Sequence, residues 1–297
     1  MNDAAKAMLN RYRCSSVNEY ENALKEIMQE IALLGLWRSK FFEKAAFYGG
    51  SALRILYGLD RFSEDLDFSL LGPDKGFSLS DYCRAMEEEL KGFGFSVAVE
   101  KKEKRRGTNI ESAFIKAGTL KNMIVVDIPE SARKKIDRGK TMKIKVEIDK
   151  DPPGGFHTEA KYLLQPIPFS VNTYTLPCLF AGKMHAILCR PWSGRVKGRD
   201  WYDLVWYAGK DIPVDLRHLE NRMRQTENLK AGEALTEKTL KQKLREKINS
   251  VDFNSAKNDV EALVKDPLSL KLWSEEFFMA VCERVRASAS PGSAVNR

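Results

Sequence analysis

The sequence predicts an α+β fold: a mixed sheet with flanking helices over residues 41–175, preceded by a helical segment (1–40) and followed by a helical domain (176–287). Three observations predict it. Short runs of strand length crowd the middle of the chain, separated by charged or Gly/Pro turns such as Asp151-Pro152-Pro153-Gly154-Gly155. Before Trp37, and again after Leu176-Pro177, apolar positions recur at helical spacing instead. The chain has 297 residues, 43% hydrophobic and 30% charged, which is enough to bury a sizeable core.

Taken in order, Tyr20, Ala23, Leu24, Ile27, Ile31 and Leu34 mark an amphipathic helix from Val17 that should stop near Gly35. Ala45-Ala46-Phe47-Tyr48 reads as a short buried strand, Gly49-Gly50 as a tight turn, and residues 51–57 as a helix capped by Ser51 and ended by Gly58. A strand is expected over 64–70, a helix over 79–90 and an alternating strand over 95–99. Further strands are expected over 109–117, 122–127, 142–149 and 169–174. Helical periodicity then holds over 178–189, 200–208, 214–223 and about 273–285, and the small, polar tail 288–297 reads as disordered.

Composition narrows the function classes. No apolar run approaches the roughly 20 residues needed to cross a bilayer, and the first residues lack the apolar core of a secretory signal, so a cytoplasmic protein is expected. Five cysteines with no CxxC pair argue for reduced thiols, against a zinc ribbon and against a disulfide framework. The three histidines, His157, His185 and His218, show no metal-ligand spacing, and neither a Gly-x-Ser-x-Gly elbow nor a Walker-type loop is present. A formal charge of +8 favours polyanionic partners.

The chemistry concentrates in two segments. Asp65 and Asp67 lie two apart on a predicted strand, so both carboxylates leave the same face. Their mutual repulsion is tolerable when a divalent cation binds or when both are well solvated. Upstream, a strand runs into Gly49-Gly50-Ser51 at a helix start, where amides and the Ser51 hydroxyl can hold a phosphate. The competing readings are a solvated strand end and an ordinary helix cap. Together the two segments form the minimum set for nucleotidyl transfer.

The stretch Phe47-Tyr48-Gly49-Gly50-Ser51, with Arg61, Ser63 and Asp65-Leu66-Asp67-Phe68, resembles the AbiEii-type toxins of type IV toxin–antitoxin systems, members of the DNA polymerase β-like nucleotidyltransferase superfamily. The resemblance extends over residues 45–208. It implies that Asp65 and Asp67 are catalytic and bind Mg2+ (or Mn2+), with Glu147 of Lys145-Val146-Glu147-Ile148-Asp149 as a third metal ligand and Asp149 as its alternative. It also implies nucleotide contacts from Gly49, Gly50, Ser51, Arg54, Ser63 and Lys183, and makes Lys183 catalytic as well. The later element Arg199-Asp200-Trp201-Tyr202-Asp203-Leu204 puts Asp200 and Asp203 on one helix face, as further catalytic candidates that position Lys183 or Arg199 or orient the acceptor.

What the resemblance implies as activity is transfer of a nucleoside monophosphate from a nucleoside triphosphate (NTP) to an RNA or a protein, with tRNA 3′ ends as an acceptor class and growth arrest as the outcome. A winged-helix AbiEi-type antitoxin encoded nearby is the implied partner. Basic clusters favour RNA, above all the glycine-broken segment with Arg190, Trp192, Arg195, Lys197 and Arg199, where Trp192 can stack on a base. The alternatives are AMPylation of a protein, a small-molecule acceptor such as an aminoglycoside, and an inactive nucleotide- or RNA-binding regulator.

Overall fold

The computed structural model describes residues 3–102, 109–125, 128–137, 139–191, 196–230 and 232–288. The chain forms two compact units, the first comprising Met1–Gly58, Phe62–Pro152 and Glu159–Thr173, the second Leu59–Arg61, Pro153–Thr158 and Tyr174–Arg297.

The first unit opens with α1 (Asp3–Leu9) and α2 (Val17–Arg38). A reciprocal capping box between Ser16 and Glu19 starts α2, which then buries Leu24, Ile27, Met28, Ile31 and Leu34. Next come β1 (Ala45–Tyr48), α3 (Gly49–Tyr57), β2 (Leu66–Leu70), α4 (Ser80–Gly92), β3 (Val97–Lys101) and β4 (Ile110–Gly118). Short helices α5 (Thr119–Val125) and α6 (Glu130–Arg133) lead to β5 (Thr141–Asp149), β6 (Thr158–Leu163) and β7 (Phe169–Tyr174).

These strands form one mixed sheet of seven in the order β3-β4-β5-β2-β1-β7-β6. β1 and β2 pair antiparallel, as do β4 and β5, while β2–β5 and β1–β7 are parallel. Under the sheet, Phe68 meets Phe41 edge-on at 5.0 Å and stacks on Phe47 at 5.1 Å. Burying a phenylalanine this completely contributes about 2–3 kcal/mol.

Three local expectations are corrected. α2 does not stop at Gly35 but runs to Arg38. Gly35 is needed for close packing, since a Cβ there would sit 2.7 Å from the Ala85 carbonyl oxygen on α4. Residues 122–125 are helical, not a strand: Asn122 is buried and its amide ties α5 to the Gly118 and Ser96 carbonyls. A short apolar run such as Met123-Ile124-Val125 does not by itself discriminate helix from strand. Ser51 is not a cap either, because α3 already begins at Gly49.

The second unit holds α7 (Leu176–Cys189), α8 (Gly198–Gly209), β8 (Pro213–Asp215), α9 (Leu216–Gln225), α10 (Glu237–Ile248), α11 (Phe253–Val260), α12 (Glu275–Arg284) and β9 (Arg286–Ser288). It is not purely helical, since β8 and β9 pair in parallel; three-residue strands are too short to leave a period in the sequence. Trp201 fills the core against Phe253 and Phe278. α8 and α11 approach so closely that a Cβ on Gly198 would fall 1.9 Å from the Ala256 carbonyl oxygen. Among the described residues no helix is long and apolar enough to cross a membrane.

Candidate functional site

In the first unit, neighbouring strands set Asp67 beside Glu147, while Asp65 lies just ahead of β2. β2 carries Asp67 opposite Tyr48 of β1 on one side and opposite Glu147 of β5 on the other. Asp149 is one pleat further on, opposite Ser69, so Glu147 is the register neighbour of Asp67. Burial alternates along the segment: Leu66 and Phe68 are fully buried, while Asp65 and Asp67 are half-buried. This is the side-chain alternation expected of a strand.

The turn between β1 and α3 accommodates Asp67. Gly49 has φ of 80°, a conformation that costs an L side chain about 1–2 kcal/mol. A Cβ at Gly49 would lie 2.6 Å from Asp67 Oδ2, so the carboxylate rests directly on the turn. The N-cap residue Tyr48 does not cap α3 with its own side chain. The first amides of that helix therefore face a region where a carboxylate already stands, and the helix dipole favours the charge there.

The remaining candidates of this unit are engaged in holding the frame. Ser51 is buried and its Oγ donates to the Asp65 carbonyl oxygen, tying the helix to the segment that delivers the first aspartate. Arg54 on α3 is almost fully buried and grips Glu26 of α2 through Nε at 2.8 Å and Nη2 at 3.2 Å. The Ser63 carbonyl accepts from Gln29 Nε2 at 3.1 Å. Glu147 receives Lys145 Nζ at 2.7 Å and the Ser112 hydroxyl at 3.2 Å.

The donor set is all carboxylate oxygen, which suits a hard cation such as Mg2+, and the glycine turn leaves the space that a Cβ would take beside Asp67. The residues fit such an ion in chemistry. As they stand, no three His, Cys, Asp or Glu side chains among the described residues group as a ready-made metal cage. Asp65, Asp67 and Glu147, expected as one ligand set, are therefore not gathered into such a group.

In the second unit, a separate charged cluster is buried. Lys183 of α7 places Nζ 2.7 Å from Asp200 Oδ1 and 2.8 Å from Asp203 Oδ2, both on α8. The two aspartates do share a helix face, and the lysine lies across it. Arg61 closes the cluster, its Nε and Nη2 each 2.7 Å from the two oxygens of Asp203. Arg190 reaches Asp200 Oδ2 at 3.0 Å.

Burial alone would push the Asp203 pKa up, but the charges of Arg61 and Lys183 outweigh it and hold the carboxyl below its ordinary value. Burial would lower the Lys183 pKa, and the Asp200 and Asp203 charges reverse that and raise it. Both groups therefore stay ionised. Arg61 is a residue for which sequence reasoning assigned no role. Its signal was its place in the family-like stretch between Ser51 and Asp65, and at 2% exposure it demands a buried carboxylate.

Of the residues expected to contact RNA, Trp192 and Arg195 lie outside the described residues. Lys197 stands at the start of α8 and Arg199 is within it, both half-buried. Arg190 is the most open, with 45% of its side chain exposed despite the bond to Asp200.

Compared with known proteins, the chain matches the family model "Nucleotidyl transferase AbiEii toxin, Type IV TA system" over residues 31–281. No curated protein sequence matches it. Among solved structures, JHP933 from Helicobacter pylori is 16% identical, with 87% of this chain and 89% of that chain covered and a TM-score of 0.47. A second H. pylori protein, provisionally described as a nucleotidyltransferase, is 16% identical over 88% of this chain and 91% of that chain, with a TM-score of 0.44. Because the family match runs through most of its length, the protein belongs to the AbiEii nucleotidyl transferase toxins of type IV toxin–antitoxin systems.

Proposed function

We propose that this nucleotidyltransferase moves a nucleoside monophosphate from an NTP to the 3′ end of tRNA, with Mg2+ or Mn2+ held by Asp65, Asp67 and Glu147, and that a cognate antitoxin encoded nearby limits the resulting block in translation. The observation that carries the reading is the seat of Asp67 against the Gly49 turn, with Glu147 beside it in register. A triphosphate approaching the first amides of α3 meets a carboxylate there, and a divalent cation between the two would offset their repulsion. A bound divalent cation would lower the pKa of an attacking hydroxyl and offset the charge on departing pyrophosphate.

The chain's own residues supply the rest. Backbone amides of Gly49, Gly50 and Ser51 orient phosphate oxygens, and the Ser51 hydroxyl holds the Asp65 carbonyl in place. The net charge of +8 favours a polyanionic acceptor such as tRNA. The expectation that Lys183, Asp200 and Asp203 take part in turnover is tested alongside.

The test is label transfer from α-labelled NTPs to total tRNA in the presence of Mg2+, followed by nuclease or protease digestion of the labelled product. Nuclease-sensitive label that disappears in Asp65→Ala and Asp67→Ala is expected. Undiminished transfer by either variant removes the assignment, and protease-sensitive label replaces tRNA with a protein acceptor. Lys183→Met in the same assay separates a role in turnover from a purely structural one, if the variant remains folded.

A further inference from the structure

We propose that Tyr12, Lys25, Glu26 and Gln29 of the N-terminal helical segment are positioning residues for Asp65, each acting through the chain that leads into it. This inference rests on the reading of Asp65 as a metal-binding carboxylate.

Four consecutive residues ahead of β2 are each tied down. Phe62 is covered on its ring by the Arg54 guanidinium at 4.7 Å and stacks with Tyr12 at 6.3 Å. Arg54 and Tyr12 are themselves joined through Glu26, which takes Arg54 in a two-point grip and accepts the Tyr12 hydroxyl at 2.8 Å. The ring Tyr12–Glu26–Arg54–Phe62 is thus closed. The Ser63 carbonyl takes Gln29, Glu64 takes Lys25 Nζ at 3.0 Å, and the Asp65 carbonyl takes the Ser51 hydroxyl.

The α2 residues involved are costly choices for stability alone. Glu26 is 6% exposed and Gln29 1%, in a helix whose neighbouring positions Ile27, Met28 and Ile31 are wholly buried hydrophobics. Burying a carboxylate and an amide carries a desolvation penalty that a leucine would not. What polar partners provide in exchange is direction, because a hydrogen bond to one carbonyl fixes one backbone conformation. Here that conformation sets where the Asp65 side chain emerges.

All four positioning residues precede residue 31, where the family match begins. The tether is therefore argued from this chain's own contacts, within its first unit.

The test is Mn2+ binding to the full-length protein, followed by the paramagnetic signal of the free ion, with no nucleotide or acceptor present. Asp65→Ala with Asp67→Ala should abolish binding. Gln29→Leu, which keeps size and burial, should weaken it severalfold, less than the roughly tenfold or more that removing a direct partner of a metal ligand costs. Lys25→Glu should weaken it as well, and Lys25→Glu with Glu64→Lys should restore it, a recovery that general destabilisation does not produce. If the aspartate variant loses Mn2+ while folded Gln29→Leu and Lys25→Glu bind like the wild type, the positioning proposal is overturned and the metal reading stands. If the aspartate variant binds Mn2+ unchanged, the metal reading fails and this proposal falls with it.

Discussion

Asp203→Asn removes the charge from a carboxylate at 0% exposure while keeping its size, so its effect on stability is almost wholly electrostatic. In the native protein that group accepts both nitrogens of the Arg61 fork at 2.7 Å and stands 2.8 Å from Lys183. After the change, Arg61, 2% exposed, and Lys183, 14% exposed at its side chain, remain as buried cations with Asp200 as the nearest counter-charge. Taking one partner from a buried ion pair typically costs about 3–5 kcal/mol. With a urea slope of about 2–3 kcal/mol per molar, the unfolding midpoint should fall by roughly 1–2 M. Tryptophan fluorescence reports it, since Trp201 lies buried on the same helix. Arg61→Met with Asp203→Leu should recover part of the loss, because well-packed apolar side chains replace buried ion pairs at little cost. A loss below about 1 kcal/mol in Asp203→Asn would refute the claim that this pair is desolvated and mutually dependent.

Gly49→Ala should leave the protein folded, at about 1–2 kcal/mol lower stability from its positive φ, yet displace Asp67 and weaken Mn2+ binding; wild-type Mn2+ affinity would show that the close approach is unimportant. Gly198→Ala inserts a methyl into the α8–α11 contact and should cost about 3 kcal/mol in the same urea assay, with an unchanged midpoint as the contrary result. His218 is buried with Phe156 and Tyr174 edge-on to it, and burial, helped by the Arg222 charge, pushes its pKa down to about 3. The unfolded chain binds that proton below pH 6.5 and the native chain does not. Stability should therefore fall by about 1.4 kcal/mol per pH unit from this residue as pH drops from about 6.5 towards 3. His218→Phe should flatten that slope over pH 6.5–5 in thermal melts, and an identical slope in both proteins would count against it.

The parts of the fold written in local period were legible. The alternation around Leu66 and Phe68 placed Asp65 and Asp67 on the half-open side, and the three-residue spacing of Asp200 and Asp203 placed both under one lysine. Residues 122–125 were misread because a run of three apolar side chains has no period, and Asn122 made the decision through bonds to Gly118 and Ser96. Gly35 was misread because a glycine that stops a helix and one that admits a neighbouring helix look alike in sequence. That α2 also buries Glu26, Gln29 and Glu30 was a finding of the tertiary structure.

The sequence by itself determined which residue types are available for the chemistry, their order along the chain and the face each takes within its own element, because those follow from a repeat of two or of 3.6 residues. The tertiary structure decided the rest. It set Glu147 beside Asp67, fitted Asp67 over Gly49, paired Arg61 with Asp203 across 142 positions and fastened the approach to Asp65 onto α2. Those pairings arise from strand order and from the need of each buried charge for a counter-charge, and both are satisfied between segments far apart in the chain, where local periodicity carries no information.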